Sequence, residues 1–143
     1  MSADRIITNS TTQTKKMGKK LAQTLKDNEI LILVGELGSG KTTFVKGLAK
    51  GLGVDANITS PTFVLFKVYK AHKGKIKQLV HADCYRVPGK EFSKIGLAEY
   101  MADPHTITAI EWGEKLPKLP RSTKKIFFTY GKKRNERSIN ITR

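Results

Sequence analysis

Apolar residues along this chain follow two rhythms. One is helical. Met17, Leu21, Ala22 and Leu25 recur at three- and four-residue spacing, after Asn9 to Thr12 have offered several N-cap side chains. This predicts a first helix that stops at Asp27-Asn28. Phe44, Val45, Leu48, Ala49 and Leu52 fall on one face of a second helix, which Gly53 is placed to end in a left-handed conformation. The other rhythm is the short unbroken run. EILILV (29–34) and TITAIE (106–111) are apolar and β-branched without alternation, as strands covered on both faces are. KKIFFTY and RSINITR supply two later strands, and Ile6-Ile7 begin a short first one. TFVLFKVYKA and KIKQLVHAD flank His72-Lys73-Gly74 and read as two strands of a hairpin. Residues 90–103 carry a short helix, and Pro117 and Pro120 mark the one linker-like stretch.

Strand, loop and helix followed by further strands fit a small α/β sheet with mixed pairing. A length of 143 residues suits one domain spanning 1–143, and no internal repeat divides it. No run approaches the roughly 18 apolar residues of a membrane span, and MSADRIITNSTTQTKK lacks the apolar segment of a secretory signal. A single cysteine, Cys84, suggests a reducing compartment, so a cytoplasmic protein without membrane contact is expected. Charge changes the picture more. Lys+Arg 27 against Asp+Glu 12 gives +15, a field that attracts nucleotides and nucleic acid. The lysines are scattered, however, and no RNA-binding signature or zinc-ligand spacing occurs among them.

The chemistry concentrates in GELGSGKTTF, residues 35–44. Gly35, Gly40, Lys41 and Thr42 satisfy G-x-x-x-x-G-K-[ST] between a predicted strand and a predicted helix. Glycines there let backbone N–H groups converge on phosphate oxygens, and the helix adds the positive end of its dipole. Lys41 is then a point charge for β- and γ-phosphates, and the Thr42 hydroxyl is a natural Mg2+ ligand. This makes the expected fold a P-loop NTPase-like domain, a mixed sheet with helices on its faces. Neither the Asn-Lys-x-Asp guanine reader nor an Asp-x-x-Gly switch occurs, which favours ATP.

Catalysis needs a carboxylate near the metal and a group that positions water. In VHADCYR, Asp83 ends a plausible strand, and in AIEWGEK, Glu111 does the same, followed by the only tryptophan, Trp112. Ligands of α/β sheets bind outside the carboxyl ends of strands, so these two acids and the loop point to one site. Thr62, in TSPTF, offers a hydroxyl on a segment that a γ-phosphate would order.

With these four segments together, the chain resembles the TsaE (formerly YjeE) family of small bacterial ATPases required for threonylcarbamoyladenosine formation at position 37 of tRNA. GELGSGKTTF fits the family's G-[DE]-L-G-x-G-K-T-T loop, SPTF its switch-like segment, HADCYR its H-x-D-x-Y-R motif and IEWGE its acidic-Trp motif. Their order and spacing fit as well, as does GLAEY at 96–100. The resemblance implies that Gly38, Ser39, Gly40, Lys41, Thr42 and Thr43 hold the phosphates of ATP. It implies that Asp83 and Glu111 bind or organise Mg2+ with Thr42, and that Trp112 lies close to the nucleotide. Thr11 (or Thr12) and Arg134 fall nearest to two further family positions that border the nucleotide. Gly113 replaces the proline usual after the tryptophan, which loosens the backbone beside Glu111. The family associates with the TsaD and TsaB proteins and does not itself transfer the threonylcarbamoyl group. A small-molecule kinase, or a basic RNA-binding module with a vestigial nucleotide site, are the alternative functions that the residues leave open.

Overall fold

The computed structural model describes residues 4–36, 38–60, 65–86, 96–116 and 123–142. Seven strands, β1 (Asp4–Thr8), β2 (Glu29–Val34), β3 (Phe66–Lys73), β4 (Ile76–Asp83), β5 (Thr106–Glu111), β6 (Lys124–Tyr130) and β7 (Arg137–Thr142), form one mixed sheet. Its order is β1-β7-β6-β2-β5-β4-β3. The four central strands are parallel, β6 to β2, β2 to β5 and β5 to β4, and the outer pairs are antiparallel. The runs without alternation are the central strands: all six residues of β5 are buried, as are the middle four of β2.

Helices α1 (Thr11–Ala22) and α2 (Lys41–Gly51) cover one face, packing Phe44, Val45 and Leu48 against Leu31, Leu33 and Ala109. On the other face Ile30, Ile32, Val80 and Ile110 meet Leu97 and Met101 of α3 (Leu97–Met101) and Leu116. Successive residues of β2 therefore feed opposite cores, which is why the strand needs apolar side chains at every position. The Phe44 ring stands edge-on to Phe128 with centroids 5.4 Å apart. That pair pins α2 to β6, adding about 0.5–1.5 kcal/mol beyond its buried area.

Helix ends show where local signals won. Ser10 caps α1, its hydroxyl accepting from Gln13 N at 3.1 Å while Gln13 Oε1 accepts from Asn9 N at 2.7 Å. The helix stops at Ala22, short of Asp27, because the Thr24 hydroxyl donates to the Leu21 carbonyl and draws the chain into a turn. Gly53 does end α2, at φ 75°, with Val54 N donating to Ala49 O and Gly53 N to Lys50 O as a Schellman turn requires. The β3–β4 turn falls at Gly74-Lys75, one residue later than the sequence placed it, since Gly74 supplies the positive φ of 57°. Of the helix expected over 90–103, the described part runs from Leu97 to Met101; residues 87–95, with 61–64 and 117–122, lie outside the described residues.

Glycines set the distance between α1 and α2. A Cβ on Gly47 would stand 1.9 Å from the Lys15 carbonyl oxygen, and one on Gly18 would stand 2.2 Å from that of Phe44. The backbones touch, so no side chain fits between them. Gly47→Ala is expected to destabilise the fold by about 1–3 kcal/mol, the usual cost of overpacking. Urea unfolding of the variant checks this; an unchanged midpoint would mean that the helices part freely.

Candidate functional site

The carboxyl ends of β2, β4 and β5 and the N-termini of α1 and α2 surround a cleft of about 250 Å³. The loop after β2 forms one side of it. Gly38 and Gly40 hold positive φ, 78° and 106°, which only glycine adopts without strain. A Cβ on Gly35 would lie 2.6 Å from Ser39 Oγ and 2.8 Å from the Phe128 carbonyl, so the loop also runs too close to β6 for a side chain. Gly40 is the N-cap of α2 and provides no side-chain cap, and the first turn carries no acid. The N–H groups of that turn thus open on the cleft without a side-chain cap among the described residues, a ready anion site. By contrast, the first turn of α1 is capped by its own Ser10.

Lys41 enters the cleft from the first residue of α2 and is only 4 % exposed. Its Nζ donates to the Gly35 carbonyl at 2.5 Å and lies 4.1 Å from the centre of the Trp112 ring. Burial pushes its ammonium below the ordinary 10.5, and the charges of Glu111, Asp83 and Glu114 pull it part of the way back. A lowered lysine value means that the unfolded chain binds the proton more tightly than the folded one. Below the folded value the full penalty on stability is therefore present, and it is relieved as pH rises toward 10.5. In Lys41→Met that relief disappears. Wild type is expected to gain stability relative to the variant as pH approaches 10.5, in denaturant titrations of the two side by side. Parallel pH profiles would show that the ammonium is not held at a cost.

Opposite the lysine stand two acids at strand ends in register, Asp83 beside Glu111. Glu111 is buried. Its Oε2 accepts from the Thr42 hydroxyl at 3.1 Å and lies 2.6 Å from His81 Nε2, whose ring is fully buried. The His81 Nδ1 has no partner among the described residues. A ring with a proton on Nε2 donates to Glu111. Asp83 Oδ1 accepts from Tyr85 N at 2.9 Å, and Cys84 N donates to the Glu111 carbonyl, tying the two strand ends together. Trp112 follows at φ 61°, the one non-glycine positive φ among the described residues. Tyr85 packs against its ring at 4.9 Å, and Lys41 lies over it. Gly113 is buried beneath this corner: a Cβ there would lie 2.5 Å from Ile32 Cδ1, and Leu116 N donates back to its carbonyl. The backbone that glycine would loosen is held by packing and a 3-10 turn (Gly113–Lys115).

Of the residues singled out in the sequence, the structure brings Thr11, Gly38, Gly40, Lys41, Thr42, Thr43, Asp83, Glu111 and Trp112 to the cleft. Ser39 is buried behind the loop, and its hydroxyl has no partner among the described residues. Thr12 lies outside the cleft, facing a second hollow. Thr62 lies outside the described residues. Arg134 is exposed in the β6–β7 turn and does not line the cleft; its carbonyl accepts from Arg137, which does. Arg137 stacks its guanidinium 4.7 Å over Tyr130 and reaches the Gly38 carbonyl at 3.4 Å. Ser10, Thr14, Ser60 and Asn135 complete the lining, without a site role foreseen in the sequence, where His81 stands only as the first residue of the H-x-D-x-Y-R motif. His81 had a signal, since residues two apart on a strand share a face and Asp83 faces the site.

The family model described as "Threonylcarbamoyl adenosine biosynthesis protein TsaE" matches residues 8–139. The chain belongs to the TsaE family. Every described residue that lines the cleft, from Ser10 to Arg137, falls within that match. The tRNA threonylcarbamoyladenosine biosynthesis protein TsaE of Aquifex aeolicus is 43% identical over 112 residues, 77% of each chain. Its namesake from Synechocystis is 42% identical over 110 residues, covering 75% of this chain and 68% of that one. The crystal structure of Bacillus subtilis YdiB superimposes with a TM-score of 0.74 at 32% identity, over 98% of this chain and 84% of that one. The α/β fold with its mixed sheet is thus the fold of a solved relative.

Proposed function

We propose that this TsaE-family protein is a Mg2+-dependent P-loop ATPase of the cytoplasm, serving threonylcarbamoyladenosine modification of tRNA at A37 together with TsaD and TsaB. The observation that carries the reading is the uncapped, acid-free N-terminus of α2 opening on a cleft with buried Lys41 on one side and Glu111 and Asp83 on the other. Cation and anion donors are separated there as a metal–triphosphate requires.

The donor set fits the metal. Thr42 Oγ1, Glu111 and Asp83 offer oxygens only, and two of the three are carboxylates, which suits a small hard cation. Among the described residues no group of three or more His, Cys, Asp or Glu side chains forms a protein-only cage. Such a set holds an ion shared with phosphate oxygens, as Mg2+ sites of nucleotide enzymes do. Bound there, Mg2+ would neutralise charge on the β- and γ-phosphate oxygens. Lys41, already desolvated, exchanges its Gly35 carbonyl partner for the same phosphates. His81 fixes the Glu111 carboxylate from behind through Nε2, so that the oxygens it offers do not wander. Asp83 and Glu111 are the two carboxylates lining the cleft among the described residues, and either would accept a hydrogen bond from the attacking water.

The test is phosphate release from ATP by the purified chain, alone and with TsaD and TsaB, with Lys41→Ala controlling for contaminants. Slow release alone that rises with the partners is the expected result. Turnover indifferent to them would remove the partner-dependent part, and phosphate appearing on an acceptor would make the protein a kinase.

A further inference from the structure

Helices α1 and α2 and residues 54–59 border a second hollow, of about 790 Å³. Lys15, Lys16 and Lys19 from α1 and Lys46 and Lys50 from α2 line it, all five exposed. The ion pairs among the described residues join His81 to Glu111 and Lys124 to Glu29, and none involves these five. Among the described residues Asp55 is the one acid in the lining. Neither TTQTKKMGKKLA nor KTTFVKGLAKG contains an aspartate or glutamate, although the chain has 12 of them. Lys15 with Lys19, and Lys46 with Lys50, repel across one helical turn. The glycine contact then presses the two rows together, since the Lys15 backbone rests on Gly47. Lys19 and Lys50 sit in last turns and are favoured by the helix dipoles. Lys15, Lys16 and Lys46 have no such compensation. A merely solvated basic surface would intersperse acids along such helices, and neither of these two carries one.

We propose that this groove binds the phosphodiester backbone of RNA, with these five lysines as its phosphate contacts. The inference rests on the tRNA-modification reading, which supplies a polyanion of that class. Lysines are point charges suited to phosphate, and among the described residues neither an arginine fork nor an aromatic side chain lines the groove. Binding is therefore by backbone, without reading of bases. The groove adjoins the nucleotide cleft through consecutive residues: Thr12 and Thr59 border the groove, Thr11 and Ser60 the cleft. RNA held there lies beside the nucleotide without covering it.

The experiment is fluorescence anisotropy of a labelled, unmodified tRNA transcript with the full chain, at salt from about 50 to 200 mM, where phosphate contacts reveal themselves as a slope of affinity on salt. One variant combines Lys15→Gln, Lys19→Gln, Lys46→Gln and Lys50→Gln. A control of equal net charge combines Lys70→Gln, Lys75→Gln, Lys77→Gln and Lys125→Gln, all exposed positions on other elements. The groove variant is expected to bind at least about tenfold more weakly and to lose roughly three to four from the log–log salt slope, one per contact removed. The control keeps most of both. Equal losses in the two variants would reduce the effect to bulk charge and overturn the proposal, as would absent binding by wild type. Retained tRNA binding with lost TsaD–TsaB association would assign the groove to an acidic protein instead, and overturn it too. ATP affinity and thermal midpoint of the groove variant, expected at wild-type values, separate this from misfolding. The anisotropy needs no nucleotide, so failure of ATP turnover would sink the functional reading and leave the groove standing.

Discussion

Lys41→Ala abolishes measurable ATP turnover and weakens ATP binding: this is the largest effect expected of any single substitution here. The ammonium is almost wholly buried, its nearest partners are one carbonyl and one ring face, and the charges of Glu111, Asp83 and Glu114 only partly offset the cost of burying it. Removing a preorganised charge of this kind lowers turnover by about 10²–10³-fold in comparable sites. The empty protein should lose little stability, because the alanine variant also loses a desolvated charge. Phosphate release and calorimetric titration with ATP, read beside a thermal melt, make the distinction. Wild-type affinity in a folded variant would mean that the loop does not bind triphosphate through this residue.

Glu111→Gln is expected to come second. The amide oxygen still accepts from the Thr42 hydroxyl and from His81 Nε2, so both contacts of the carboxylate survive. What is lost is one negative charge at the cation site. Magnesium-dependent turnover should fall by about 10²-fold or more, in the range seen when one charged participant is removed, with a higher magnesium requirement and a thermal midpoint near wild type. Asp83→Asn is expected to act in the same direction. If both variants hydrolyse ATP at the wild-type rate over a magnesium titration, neither acid organises the metal.

The central strands were legible because burial on both faces leaves no freedom of composition. EILILV and TITAIE coincide with β2 and β5 at both ends. The glycine loop was legible for a related reason, since Gly38 and Gly40 hold positive φ that other residues adopt only under strain. Helix α1 was misjudged at its end because a single hydroxyl, Thr24, outweighs propensity over one turn. The cleft was legible where a motif adjoined a strand end, as at Asp83 and Glu111, and illegible where it depended on long-range register. Arg137 reaches it only because β7 pairs between β1 and β6, which nothing near residue 137 announces. His81 belongs to the first kind, and period-two alternation from Asp83 would have placed it on the same face.

The strand order has a consequence for how the protein comes to be folded. The first strand pairs only with the last, Asp4 opposite Ile141 and Thr8 opposite Arg137, and Arg5 donates to Ser138 across 133 positions of chain. Contacts that span so much chain form late, because the closure entropy precedes any reward. The parallel centre and α2 need none of them. Yet β1 delivers Ser10 and Thr11 to one wall of the cleft, and β7 delivers Arg137 to another. The β-hairpin and the α2 loop can therefore exist in a chain that has no cleft, and the competence to hold a ligand arrives only with the final strand.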